Sequence, residues 1–131
     1  MDNKIKQLRK GILELAILGA LYEKSHYGYS LIKSIAGENN VVIAEGTIYP
    51  ILNRLSKEGL VRSEWVESRQ GPPRKYYFLT QAGRTAFEVL HVEFEKLAAM
   101  VRGAKAGREE DEEAGRRLLT VRKETENDGT L

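Results

Sequence analysis

The segment that leads up to Gly59 places the tightest constraint on how this chain folds. Four apolar residues recur at i, i+3, i+4 and i+7, a spacing that predicts a helix with one buried face: Ile48, Ile51, Leu52 and Leu55. The opposite face carries side chains that can each donate a hydrogen bond: Thr47, Tyr49, Asn53, Arg54 and Lys57. Pro50 is expected in the first turn, and Gly59 is expected to end the helix in a left-handed conformation. The chain therefore needs a core on one side of this helix and leaves a donor-rich surface on the other.

Two further helices are predicted before this segment. Lys4 to Glu23 carries apolar residues at alternating intervals of three and four, and extra apolar residues make the stripe unusually wide. A helix that is apolar on more than one face is covered on more than one side, and a partner subunit is a candidate for the second cover. A turn over Lys24 to Tyr27 is expected to lead into a second, shorter helix near Gly28 to Ile35.

A β-hairpin is predicted directly after the third helix. Its strands are expected over Leu60 to Val66 and over Lys75 to Leu79, which is rich in the aromatic residues that strands favour. The connection between them contains Gly71 and two prolines, which end the first strand and stiffen the turn. Three cations flank this tip and could approach phosphate or simply keep an edge hairpin soluble: Arg69, Arg74 and Lys75.

Thr80 is predicted to cap the start of a long final helix, because its hydroxyl can accept a hydrogen bond from a free backbone N–H. Five apolar residues then follow a 3.5-residue repeat, which favours pairing with a partner helix over ordinary core packing: Phe87, Leu90, Phe94, Leu97 and Val101. Past Arg102 the chain has no aromatic residue and a charge cluster at Glu109 to Glu113, so most of it is expected to be mobile.

Composition excludes several classes of function. The chain of 131 residues has no cysteine, and its two histidines, His26 and His91, are far apart, so no metal or other cofactor is expected. Phosphate-binding glycine loops and nucleophile–base arrangements are missing from the sequence, which argues against an enzyme. No apolar run is long enough to span a bilayer, so we expect no membrane contact and a cytoplasmic protein. Residues 1–102 have a net charge of +4 and residues 103–131 of −2.

The order of elements predicts a mainly α fold with a small β-hairpin, a winged helix-turn-helix. We expect a DNA-binding domain over residues 1–80, a dimerisation helix over 81–102 and a charged tail over 103–131. In this architecture the third helix enters the major groove of double-stranded DNA and the hairpin, or wing, touches the flanking backbone. The alternative is a winged helix used only for protein–protein contacts, which would present an apolar rather than a donor-rich third helix.

The sequence resembles the PadR family of transcriptional regulators over roughly residues 5–102. The resemblance lies in GTIYPILNRL at 46–55, KEGLV at 57–61, GPPRKYYFLT at 71–80 and Gly83. It implies a dimeric DNA-binding factor, usually a repressor, whose members often respond to phenolic acids or other small hydrophobic compounds. It also implies that the first and last helices build the homodimer. The residues expected at that interface are Leu8, Ile12, Leu15, Phe87, Leu90, Phe94, Leu97 and Val101.

Overall fold

The computed structural model of the protein describes residues 1–37 and 42–129, and the side chains of these residues except 104–108 and 121–129. Its elements in chain order are α1 (Asp2–Glu23), β1 (His26–Tyr27), α2 (Gly28–Ala36), α3 (Glu45–Lys57), β2 (Val61–Val66), β3 (Arg74–Leu79) and α4 (Gln81–Gly129). Three helices, a hairpin and a long final helix confirm the predicted winged helix-turn-helix fold.

The sheet has three antiparallel strands in the order β1-β3-β2 rather than the two of the predicted hairpin. The added strand is β1, which pairs His26 with Tyr77 and Tyr27 with Tyr76. The prediction of a plain turn from Lys24 to Tyr27 is therefore wrong in its last two residues. A strand of two residues has no alternation of polar and apolar side chains that a sequence pattern could reveal.

The core lies where α1, α2, α3 and the sheet meet. Its buried members include the whole predicted apolar face of α3, which confirms that face: Ile17, Leu18, Leu21, Leu31, Ile48, Ile51, Leu52, Leu55, Val61 and Tyr77. Burying this face fixes α3 in rotation about its axis. Its opposite face must then point to solvent.

The end of α3 follows the Schellman pattern, in which two backbone hydrogen bonds close the last turn. Gly59 has a φ of 76°, as its predicted role as a left-handed cap requires. Its N–H donates to the carbonyl of Ser56 at 3.1 Å, and the N–H of Leu60 donates to the carbonyl of Leu55 at 3.0 Å. These bonds set the direction in which the chain leaves α3 and enters β2.

Pro50 lies in the second turn of α3, so the prediction that it lies in the first turn is wrong. The helix begins at Glu45, and Pro50 is its sixth residue. Proline has no N–H to donate to the carbonyl four residues earlier, which belongs to Gly46. Both residues are exposed, so water can hydrogen-bond that carbonyl in place of the missing partner.

Thr80 joins the start of α4 to the turn that follows α3. As predicted for a cap, its hydroxyl accepts a hydrogen bond from the N–H of Gly83 at 3.0 Å. The same hydroxyl donates to the carbonyl of Gly59 at 2.7 Å, and the N–H of Thr80 donates to the carbonyl of Leu60 at 3.0 Å. Gly83 is needed at this joint, because a Cβ on it would lie 2.1 Å from the Leu60 carbonyl oxygen.

Gly83→Ala is expected to destabilise the fold by about 1–3 kcal/mol, because the added methyl group meets backbone that cannot move aside without breaking the joint. Urea unfolding followed by circular dichroism measures the change. Gly103→Ala is the matched control, since a Cβ there meets nothing within 4 Å, and it should stabilise the helix by about 0.5–1 kcal/mol. Equal effects of the two substitutions would contradict the role assigned to Gly83.

The helix α4 continues to Gly129, well past the predicted end at residue 102. The segment from 103 onward contains no proline and many good helix formers, and Glu113 pairs with Arg117 four residues later at 2.6 Å. The predicted tail over 103–131 is therefore helical to Gly129, and residues 130 and 131 lie outside the described chain. Despite this length, none of the helices in the described residues is apolar enough to cross a lipid bilayer.

The chain divides into two compact units, Met1–His91 and a second unit from Val92 onward. The first unit holds all three strands and the helices α1, α2 and α3. The second unit consists of the remainder of α4. The boundary falls inside α4, eleven residues beyond the division between residues 80 and 81 that the sequence analysis expects.

His26 makes the stability of the first unit depend on pH. Its side chain is 3% exposed, its Nδ1 lies 3.0 Å from the hydroxyl oxygen of Ser30, and burial lowers its pKa below the ordinary 6.5. The unfolded chain therefore binds a proton at His26 more readily than the folded chain does. The free energy of unfolding should have its full value above pH 6.5 and should fall as the pH drops below it. His26→Asn should reduce this loss in thermal melts between neutral pH and pH 5. If the wild-type protein and His26→Asn lost the same amount of thermal stability between neutral pH and pH 5, this role of His26 would be contradicted.

Candidate nucleic-acid interface

The donor-rich face of α3 lies at the surface. All five side chains that the sequence analysis placed on it are exposed: Thr47, Tyr49, Asn53, Arg54 and Lys57. Base edges and phosphates present mainly hydrogen-bond acceptors, so such a face matches the chemistry of a DNA groove. The face is rigid because the other side of α3 is buried in the core.

Tyr49 combines a packing contact with surface exposure. Its ring is 45% exposed, yet its hydroxyl lies against the first residue of α2, where a Cβ on Gly28 would come within 2.2 Å of the hydroxyl oxygen. The contact fixes the ring direction and joins the start of α2 to the exposed face of α3. Tyr49 therefore both supports the packing of α2 on α3 and borders the exposed face.

Arg54 is held by two acidic neighbours. Its Nη2 lies 3.1 Å from a carboxylate oxygen of Glu14 on α1, and its Nε lies 4.0 Å from one of Glu58. A surface ion pair of this kind contributes about 0–1 kcal/mol, so a phosphate could compete for the guanidinium. Of the five donors on α3, Arg54 is the one that would have to exchange partners in order to meet DNA.

The two wing cations beside each other in sequence lie on opposite faces of β3. Lys75 shares its face with the buried Tyr77 and lines a depression of about 520 Å³ together with Tyr49 and Asn53. Arg74 lies on the other face, where its guanidinium carbon is 4.4 Å from the centre of the Tyr27 ring. Lys75 is thus turned toward the donor face of α3, and Arg74 is turned away from it.

Ser56 and Ser63 also line this depression, and the sequence analysis did not single them out. Ser63 pairs with Tyr77 across the ladder, and strand alternation then places it on the same face as Lys75. Burial raises the pKa of Tyr77, so its phenol stays neutral at physiological pH. The depression is therefore bordered by hydroxyl groups, one amide and one cation. The alternation of β2 was the signal that could have identified Ser63.

Arg69 is exposed near the tip of the wing. The residues around it, 67–73, lie outside both strands and carry Gly71 with a φ of 128°. Arg69 lies in the loop at the tip and Lys75 near the tip end of β3, so the wing carries two cations close to its tip. Trp65, which pairs with Lys75 across the ladder, is largely exposed.

Most of the residues predicted at a dimer interface are exposed in the single chain. On α1, Leu8 is 69% exposed, and Ile12 is exposed on the same face. On α4, Leu90 is 43% exposed, and Leu97 and Val101 are exposed as well. Leu15 and Phe94 are half-buried.

Phe87 is used inside the chain. Its ring lies edge-on to that of Tyr22 with 5.0 Å between ring centres, and its Cζ lies 3.4 Å from the position that a Cβ on Gly19 would take. The half-buried Phe87 is therefore packed against α1 of its own chain. The first residue of the predicted α4 seam therefore packs against the core of its own chain.

The match to a known family settles the class of protein. The profile of the PadR-like transcriptional regulator family matches residues 17–89, more than half of the chain. The chain belongs to the PadR-like family. The matched region of this PadR-like protein contains α2, α3, the whole sheet and the first turns of α4. Members of the family regulate transcription, so this protein is a transcriptional regulator of the DNA-binding class and not an enzyme.

Solved structures of similar proteins agree with this assignment. A PadR-like transcription factor from Bacteroides fragilis is 40% identical, with a TM-score of 0.64 over 76% of this chain and 96% of that one. A PadR family regulator from Eggerthella lenta is 34% identical, with a TM-score of 0.66 over 76% and 87%. A PadR-like regulator from Bacillus cereus is 33% identical, with a TM-score of 0.67 over 74% and 94%.

Proposed function

We propose that this PadR-like regulator is a homodimeric repressor that reads a two-fold symmetric operator with α3 and holds the flanking backbone with its wing. The single observation that carries this proposal is the depression shared by Asn53 of α3 and Lys75 of the wing. One exposed surface thus joins a side chain suited to base edges with a cation suited to phosphate. Such a regulator acts where the chromosome is, which in a bacterial cell is the cytoplasm.

The donors on α3 differ in what they can recognise. Asn53 can form two hydrogen bonds with adenine, and Thr47 can contact either a base edge or a thymine methyl group. Lys57 and Lys75 are flexible point charges that suit phosphate. Base reading is therefore assigned to Thr47, Tyr49 and Asn53. Arg54 and Lys57 lie beside them on the same face of α3. Phosphate anchoring is assigned to the wing residues Arg69, Arg74 and Lys75.

The proposed dimer joins α1 of one subunit to α4 of the other. Support comes from the exposed apolar residues Leu8 and Ile12 on α1, and Leu90, Leu97 and Val101 on α4. Isolated exposed apolar residues are ordinary, but repeated ones on one helix face indicate a contact surface. A dimer presents two α3 helices, so the half-sites should lie roughly 10 base pairs apart, or a multiple of that spacing.

The proposal is tested by selecting bound sequences from a pool of random DNA duplexes. The expected result is a two-fold symmetric consensus whose bound complex contains two protein chains. The variant Asn53→Ala, selected from the same pool, should yield a weaker consensus, whereas Lys4→Gln, which lies outside α3 and the wing, should reproduce the original one. Failure of the wild-type protein to enrich any sequence would overturn operator reading and favour a winged helix that contacts other proteins.

We further propose that a small hydrophobic compound releases the protein from its operator, as the family resemblance implies. A compound that binds the dimer could change the separation of the two α3 helices and so lower operator affinity. Titrating planar hydrophobic compounds, phenolic acids among them, against the protein–operator complex tests this. Trp65 fluorescence is a second readout, because this exposed side chain lies on the wing. If no compound moves either readout, the regulator acts without such an effector.

A further inference from the structure

Beside the proposed DNA-reading surface, two stacked aromatic rings form a continuous row with a cation at each end. The guanidinium carbon of Arg74 lies 4.4 Å from the centre of the Tyr27 ring. The Tyr27 ring stacks on that of Tyr29 with 6.4 Å between centres, and the Lys33 Nζ lies 5.4 Å from the Tyr29 ring centre. The row runs from the first residue of β3, through β1, along the exposed side of α2. These four residues are named the α2 row: Arg74, Tyr27, Tyr29 and Lys33.

The α2 row borders a shallow depression of about 480 Å³ with a cationic lining. Lys24 and Lys33 line it together with hydroxyl groups from Tyr29 and Ser34, among others. In the described part of the chain, none of the side chains lining this depression is a carboxylate. Tyr29 is 56% exposed, so its hydroxyl can reach a ligand as a donor. Two cations and several hydroxyls, with Glu23 next to Lys24 but no carboxylate among the described lining side chains, form a surface that is complementary to a polyanion.

The α2 row is continuous with the proposed DNA interface at two points. Arg74 belongs to both, since it is the first residue of the wing strand β3 and lies over Tyr27. Gly28, between Tyr27 and Tyr29, lies against the hydroxyl of Tyr49 on α3. A duplex that occupies the exposed face of α3 therefore runs past the start of α2. The ligand that this continuity favours is the sugar–phosphate backbone of the same duplex.

We propose that the α2 row, with Lys24, is a second phosphate-binding surface that holds the DNA backbone at the border of the groove that α3 enters. This inference rests on the proposed function and extends it to residues outside the third helix and the wing. Lys24 and Lys33 contact phosphate directly, and the Tyr29 hydroxyl donates to a phosphate oxygen. The ring of Tyr27 holds the Arg74 guanidinium on the face of β3 where strand alternation places it.

The salt dependence of DNA binding tests this assignment. The probes are a duplex that carries the selected consensus and a scrambled duplex of equal length, measured by fluorescence anisotropy over a range of salt concentrations. Lys33→Gln should lower the log–log salt slope by about 0.9, and Lys24→Gln with Lys33→Gln by about 1.8, on both duplexes, because phosphate contacts are blind to sequence. Tyr29→Phe should weaken binding to both duplexes by the same factor. Lys4→Gln, an exposed lysine on α1, is the matched control.

The outcomes separate this inference from the proposed function. If the wild-type protein prefers the consensus duplex but the Lys24 and Lys33 variants keep its salt slope, the α2 row does not touch DNA. If these variants lose affinity only for the consensus duplex, the row reads bases and the assignment to phosphate is wrong. If the wild-type protein binds both duplexes equally, operator reading fails, while a reduced slope in the variants still supports the second surface. Circular dichroism and thermal melting confirm that each exposed substitution leaves the fold intact.

Discussion

Replacing both Leu90 and Phe94 with glutamate is expected to turn the proposed homodimer into monomers or aggregates. In the proposed dimer these residues lie on the 3.5-residue seam of α4, and Leu90 is exposed while Phe94 is half-buried in the single chain. Burial of an apolar side chain contributes about 1.5–3 kcal/mol, so losing four of them should weaken association by at least roughly 10⁴-fold. Sedimentation velocity measures the change in mass.

The control for this experiment is Val92→Glu, a single substitution on the same helix. Val92 is exposed and lies on the side of α4 opposite the seam, so its replacement should leave the dimer intact. The seam variant should also lose most of its operator affinity, because a monomer presents one α3 helix instead of two. A dimer of unchanged mass after the double substitution would show that α4 does not build the interface.

Asn53→Ala is expected to lower operator affinity by about 1–3 kcal/mol while changing the affinity for random duplex much less. Asn53 is exposed on α3, so its replacement removes base hydrogen bonds without opening the core. Alanine also has the higher helix propensity, which keeps α3 folded. Competition of labelled operator against unlabelled random duplex measures the ratio of the two affinities.

The wing variant Lys75→Ala should behave differently from Asn53→Ala. Loss of a phosphate contact should weaken all duplexes by the same factor and lower the salt slope by about 0.9. Arg74→Ala should act in the same direction, since Arg74 is also assigned to phosphate. If Arg74→Ala lost operator preference while Asn53→Ala kept it, the roles assigned to the wing and α3 would be reversed.

Periodic elements were predictable from the sequence, and short or non-periodic ones were not. The apolar face of α3 and the cap formed by Thr80 each left a local pattern, and the structure confirms both. The two-residue strand β1 left none, because its partner β3 is about fifty residues away in the chain. The length of α4 was underestimated because the segment after Arg102 lost its apolar repeat while keeping residues that favour helix.

The candidate interface was likewise predictable in its residue types but not in its arrangement. Strand alternation places the adjacent Arg74 and Lys75 on opposite faces of β3, but only the packing of the paired sheet decides which of them is turned toward α3. The Tyr27–Tyr29–Lys33 row depends on β1 for the position of its first ring. These features depend on the pairing of segments that are distant in the chain, which local sequence patterns do not reveal.

The joint at Thr80 restricts rotation of the first turn of α4. One hydroxyl is shared by the carbonyl of Gly59 and the N–H of Gly83, and the absent side chain of Gly83 brings the two backbones into contact. A substitution that moves the first turn of α4 would therefore also move the end of α3. In the proposed dimer, changes at this joint would alter the presentation of the two α3 helices without altering any residue assigned to DNA contact.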